Sequence, residues 1–164
     1  MKTLSIIFAA IWVAATIWFI SMRIEFSQNC TGYLKQAADA NTVELALDRL
    51  DKAITYVERQ GWTKGYTSIL WKTEDENIGF WYENLKASRQ ELVNVIDSPQ
   101  LEQTNVLMKL RETLTENTGD GTAITYPGGV WKYPHNALYA VIAWIVNILG
   151  LLSFSFVFVI LERY

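Results

Sequence analysis

One cysteine and one histidine stand in a chain of 164 residues. The lone cysteine removes any internal disulfide framework. The lone histidine leaves Cys/His metal sites and histidine-based acid–base chemistry without partners. No proline occurs before Pro99, so helices can run unbroken over residues 1–98. Charged residues make up 19%, and 14 Lys and Arg stand against 17 Asp and Glu for a net charge of −3. That balance excludes nucleic-acid binding through a basic patch. No Ser/His/Asp set, HExxH, GxGxxG or P-loop spacing is present, and no internal repeat or low-complexity block. The chain is therefore expected not to be an enzyme, with no catalytic residue, cofactor or metal.

What the chain has is apolar sequence at both ends. Hydrophobic residues reach 51%. Leu4 to Met22 holds 19 residues without a charge, about 28 Å as a helix against about 30 Å of bilayer hydrocarbon. Ala137 to Leu161 holds 25, about 37 Å, enough to span with tilt. Pro134 falls where a first helical turn would tolerate its missing N–H. The first stretch exceeds the apolar region of a cleaved signal peptide, carries bulky Trp12 and Trp18, and has no small-x-small site just before Arg23. It is expected to stay as an uncleaved signal anchor. Between residues 27 and 133 the acids outnumber the bases, 15 to 11. Both termini are expected in the cytoplasm and the middle outside.

The middle carries helical periodicity. Asn41 opens N-T-V-E, a capping-box spacing, and Val43, Ala46, Leu47, Leu50, Ala53, Ile54 and Val57 follow at steps of three and four. Gly61 stands where such a helix would stop. Upstream, Phe26, Cys30, Tyr33, Ala37 and Ala40 extend the first span as helix, with Gly32 and Asn41–Thr42 as weak points. Thr73 and Glu76 frame a second box before Ile78, Trp81, Tyr82, Leu85, Ser88, Leu92 and Ile96. Ser98–Pro99 predicts N-cap plus N1 of a third helix striped by Leu101, Leu107, Met108, Leu110 and Leu114. Gly119, Gly121, Pro127, Gly128 and Gly129 break the pattern. A hairpin of AITY against VWKY, turning at Pro127–Gly128, would fit there.

The expected fold is thus an all-α membrane protein, with two transmembrane helices flanking a small amphipathic helical domain and room for a short β-hairpin before the second span. The expected boundaries are 1–25 for the first helix, 26–116 for the helical domain, 117–134 for the Gly/Pro-rich connection and 135–164 for the second helix. In layout, though in no motif, this resembles the span–helical sensor–span portion of bacterial receptors.

Several residues invite chemistry and each has a plainer reading. Cys30 lies on an apolar stripe and reads as packing. His135 reads as a polar residue at a helix start. Asp75-x-Asn77-x-Gly79 lacks the late bidentate acid of a calcium loop, so Glu74–Glu76 reads as acids at a helix N-terminus. Trp62, Tyr66, Trp71, Phe80, Trp81 and Tyr82 read as core filling or as an aromatic ligand or partner surface. In the spans, Ala140, Ala143, Asn147 and Gly150 form a small-and-polar stripe suited to helix–helix contact, and Ala10, Ala14 and Ser21 lie on one side of the first.

The functional expectation is a non-enzymatic accessory or assembly subunit of a larger membrane complex. Its partners would be lipid and other membrane subunits or copies of itself, and not nucleic acid. The alternative is a homo-oligomeric two-span pore lined by Asn147, Ser153, Ser155 and backbone.

Overall fold

The computed structural model describes residues 2–161 apart from 69, 71 and 120, with side chains from Ile6 to Leu152. Those residues are mostly helical and carry one small antiparallel sheet. They divide into two compact units, one of residues 1–24 with 135–164 and one of residues 25–134.

The central unit is built on four helices. Helix α1 (Lys2–Phe26) runs into it and passes through a π-helical turn, Ser27–Thr31, into α2 (Gly32–Ala38). Then come α3 (Val43–Arg59), α4 (Ile78–Asn94) and α5 (Gln100–Leu114). Helix α2 packs on α3 and α5, α3 on α4, and α4 on α5, which closes a ring. The upstream extension of α1 thus supplies the fourth wall that three amphipathic stripes leave open. The core holds Phe26, Cys30, Leu34, Val43, Leu50, Val57, Ile78, Leu85, Leu92, Leu114 and Val130, all nearly or wholly inaccessible.

Helix α3 follows its stripe, with Leu47 half-buried and the others buried. Its start lies one residue later than the sequence suggests. Thr42 is the N-cap, its Oγ1 accepting from the Leu45 N–H at 3.3 Å, so Glu44 cannot complete a box with Asn41. Its end is a Schellman turn. The Gly61 N–H donates to the Glu58 carbonyl, the Trp62 N–H donates to the Val57 carbonyl, and Gly61 adopts φ of 73°. Glycine, which has no Cβ, enters that left-handed region without the steric cost other residues carry there.

Helix α4 begins at a different cap from the expected one. Thr73 makes no side-chain cap, Glu74–Glu76 form a 3-10 turn, and Asn77 caps α4 by accepting from the Phe80 N–H at 3.1 Å. The short Asn side chain offers its oxygen at the start of α4, four residues after Thr73, so the Thr73–Glu76 spacing falls about one turn too early. Pro99 rather than Ser98 is the N-cap of α5. The α5 stripe is also different. Leu101 and Met108 are 74% and 58% exposed, and Gln103 takes the inner face beside Val106, Leu107, Leu110 and Leu114. The Gln103 amide donates to the Ile96 and Ser98 carbonyls, satisfying the turn between α4 and α5.

The hairpin lies earlier than AITY and VWKY. Strands β1 (Thr115–Thr118) and β2 (Gly121–Ile124) pair antiparallel, Thr115 against Ile124 and Thr118 against Gly121. Residues Val130–Lys132 form a 3-10 turn instead of a strand. The Gly119–Asp120 dipeptide gives a two-residue connection between the paired Thr118 and Gly121, which suits a tight hairpin better than the longer Pro127–Gly129 run.

In the terminal unit, α1 is long and apolar enough to cross a membrane, and no residue of its most apolar window is buried. Helix α6 (Asn136–Leu161) is apolar, and its portion with described side chains is Asn136–Leu152. It starts just after Pro134, with the Tyr139 N–H donating to the His135 carbonyl at 2.9 Å, so Pro134 precedes the first turn and lies outside it. Helices α1 and α6 meet where the Tyr139 ring stands edge-on to Trp18 and Phe19. They meet again at Gly150, where an added Cβ would come within 2.7 Å of Trp12 Cδ1. A glycine there lets an indole lie against backbone.

Candidate functional site

The central unit carries an open cleft of about 850 Å³. The π turn and α2 form one wall through Ser27, Thr31, Gly32 and Lys35. The 3-10 turn and the start of α4 form a second through Glu74, Asp75, Asn77, Phe80, Trp81, Asn84 and Leu85. The end of α5, the hairpin and the run to Gly128 close it with Leu114, Glu116, Ala123, Ile124 and Tyr126.

Thr125 ties this third wall to the helices. Its N–H donates to the Leu114 carbonyl at 2.9 Å, and its carbonyl accepts from Trp81 Nε1 at 3.2 Å. Tyr126 stacks edge-on to Phe26 at 5.1 Å between centroids, and Phe26 does the same with Trp62 at 5.8 Å. Trp62 in turn meets Tyr56 and donates from Nε1 to the Tyr133 carbonyl at 3.1 Å. The buried indoles therefore keep their polar atoms satisfied while filling the core.

The six aromatics singled out in the sequence separate into distinct environments. Trp62 and Trp81 are buried, and Trp81 is also part of the cleft. Phe80 is 46% exposed in the cleft wall. Tyr66 is exposed beside Asn77, and Tyr82 is half-buried with its hydroxyl donating to Glu58 at 2.6 Å. That bond to a carboxylate holds the Tyr82 hydroxyl above its ordinary pKa. Trp71 lies outside the described residues. Sequence reasoning missed Tyr126, Glu116 and Lys35 as members of this site. They are distant along the chain, and only the placement of the hairpin brings them together.

Four of the cleft's side chains carry charge: Glu74, Asp75 and Glu116 against Lys35. All four are exposed. Among the described residues none of them has an ion-pair partner, whereas Asp48, Asp51, Glu58 and Glu91 pair with cations elsewhere on the unit. A second hollow of about 330 Å³ lies over α3 and is lined by Asp48, Asp51, Lys52 and Arg59. Its charges answer each other: Lys52 holds the Asp48 carboxyl below its ordinary pKa, and Arg89 forks onto Asp51.

Cys30 is wholly buried, and burial pushes its thiol up to about 12. His135 is exposed, 6.3 Å between ring centroids from Tyr139. Among the described residues no group of three His, Cys, Asp or Glu is placed to hold an ion.

The stripe of α6 divides as well. Gly150 faces Trp12 and Ala143 is half-exposed, while Ala140 and Asn147 are exposed. The Asn147 amide donates to the Ala143 carbonyl of its own helix at 2.6 Å. On α1, Ala10, Ala14 and Ser21 are exposed, and the more covered side carries Phe8, Ala15, Phe19 and Met22. That side mixes the large Phe8, Phe19 and Met22 with the small Ala15 and Thr16. Ser153 and Ser155 have no described side chains.

Comparison of the chain with protein-family models, with curated proteins and with solved structures finds no match.

Proposed function

We propose that the chain is an integral membrane protein with both termini in the cytoplasm. In this reading α1 and α6 both span, and the central helical unit lies outside and offers its cleft to a partner. The protein serves as a non-enzymatic accessory or assembly subunit of a larger membrane complex. One observation carries the membrane part: the terminal helices leave large apolar side chains uncovered along their described length. Ile6, Ile17 and Ile20 on α1 are 68%, 58% and 53% exposed, and Trp144 and Leu151 on α6 are 72% and 70% exposed. A helix apolar on every side needs lipid or protein around it. Among the described residues of 27–133 no helix is apolar on every side, and the acidic balance of that range suits a segment carried across.

Alkaline carbonate should leave the protein in the membrane pellet; release into the supernatant would overturn the membrane reading. Protease added to intact cells should cut near Gly119–Gly129. Cleavage only after lysis would reverse the orientation.

The pore alternative draws on Asn147, a polar residue exposed on an apolar helix and bonded only within that helix. Native mass in detergent separates the two. A hetero-complex supports the accessory subunit, and a closed ring of this chain alone supports the pore.

A further inference from the structure

We infer that the cleft of the central unit takes an extended peptide segment of a partner protein, one in which basic residues alternate with apolar ones. This rests on the reading of the chain as an accessory subunit and adds the chemistry of what it holds. Three features converge. Size is the first: about 850 Å³ is near the upper end for small-molecule sites, and the cleft is open instead of an enclosed pocket, which leaves room for a segment of chain to enter and leave.

Charge is the second feature. Glu74 and Asp75 come from the turn before α4 and Glu116 from the hairpin, so carboxylates stand on two separate walls. No cation of the described protein pairs with any of them. Lys35 on the α2 wall is the one opposing charge in the cleft. A segment with two or more Lys or Arg side chains complements that rim.

The third feature is the aromatic surface. Phe80 and Tyr126, from different walls, are 46% and 36% exposed inside the same cleft. Trp81, Leu85 and Ile124 lie beneath as its apolar lining. Exposed rings beside carboxylates favour a guanidinium or ammonium over the ring face and an aliphatic residue against the floor. In an extended strand, alternate side chains point to opposite sides, so basic and apolar residues in alternation reach rim and floor together.

The test presents the full-length protein in nanodiscs to a random heptapeptide display library. Lys- or Arg-containing peptides with interspersed Leu, Ile or Phe should be enriched over empty nanodiscs. The best of them, made synthetically and measured by fluorescence polarisation, should lose about tenfold in affinity for the triple variant Glu74→Gln, Asp75→Asn, Glu116→Gln. It should lose a similar factor for Phe80→Ala. The exposed Glu102→Gln on α5 serves as a charge control outside the cleft and should bind as the parent does. Far-UV and near-UV circular dichroism of each variant establishes that the fold is kept.

No enrichment, enrichment of acidic peptides, or unchanged affinity in the folded triple variant would overturn the proposal. Arginine methyl ester competing as strongly as the whole peptide would assign the cleft to a small cation instead. A protein that stays in carbonate-washed membranes but selects no peptide sinks the occupant alone. One released by carbonate that still selects basic peptides sinks the membrane reading alone.

Discussion

Helices α1 and α3 carry similar shares of aliphatic residues for opposite surroundings. Helix α3 puts Val43, Ala46, Leu50, Ala53 and Val57 on one side, all fully buried, and turns Glu44, Asp48 and Glu58 outward. Helix α1 has Ile7, Trp12, Val13 and Ile17 spread around its circumference and buries none of them. The same residue types give a core when they recur every three or four positions and an uncovered cylinder when they do not. A helix of the second kind is stable in water only if something else surrounds it. The contrast between the two units is therefore one of exposure as much as of sequence.

The largest expected effect tests that contrast directly. Leu50→Ala removes a side chain with no exposure and should destabilise the central unit by about 2–5 kcal/mol. Ile17→Ala, at a site 58% exposed on α1, should change the unfolding of that unit by less than about 0.5 kcal/mol. Denaturant titration in mild detergent, followed by tryptophan fluorescence, reads both. Equal losses would mean that α1 is covered by the central unit in solution, and the contrast would fail.

A second effect is silent at neutral pH and grows above it. Burial raises the Cys30 thiol from an ordinary 9.0 to about 12, and desolvation raises the Tyr56 hydroxyl from 10.0 to about 12. Between the two values the folded state keeps protons that the unfolded state has released, so stability falls as pH rises through that window. Stability should be flat up to about pH 9 and decline towards pH 12. Iodoacetamide at pH 9 should label Cys30 only after denaturation, because about one thiol in a thousand is ionised in the fold at that pH. Rapid labelling of the native protein would place Cys30 outside the core and blur the boundary between the units.

The smallest effect lies on the surface of the central unit. Arg89 and Asp51 join α4 to α3 with their side chains 38% and 40% exposed. Arg89→Ala should cost between zero and about 1 kcal/mol, less at high salt. A loss above about 2 kcal/mol would show that the α3–α4 seam depends on charge more than on Leu50, Leu85 and Leu92.

Periodicity made much of this fold legible. The α3 stripe, the Gly61 stop and the α4 stripe are strong because one face is buried along the whole length and the other is wet. The α5 stripe misled because Leu101 and Met108 sit on its outer side, while Gln103 turns inward for the sake of two backbone carbonyls. Hydropathy sees the side chain and not the unpaired carbonyl it serves. The hairpin was misplaced for a related reason. Strand β1 is exposed on nearly every residue, so it has no alternation for a pattern to catch, and the Thr118 hydroxyl bonding the Gly121 carbonyl at 2.8 Å is a local contact. The cleft was half visible. Phe80 and Trp81 stand together in sequence, but Tyr126 and Glu116 join them only through the Thr125 tie, which no spacing announces.

The π turn at Ser27–Thr31 has a consequence for helical phase. At 100° per residue, a step of four overshoots a full turn by about 40°, so three such steps drift by about 120°. Phe26, Cys30, Leu34 and Ala38 are separated by three steps of four, yet all are buried in one core. The extra residue in each hydrogen-bonded ring of the π turn absorbs that drift and keeps the four on a single bearing. Gly32 is the residue that permits it: its N–H reaches the Ser27 carbonyl, and a Cβ there would lie 2.8 Å from that oxygen. Anything that relaxed the turn to ordinary α-helix would act as a rotation, carrying Phe26 off the bearing it shares with Cys30, Leu34 and Ala38 and out of the core while α2 stayed seated.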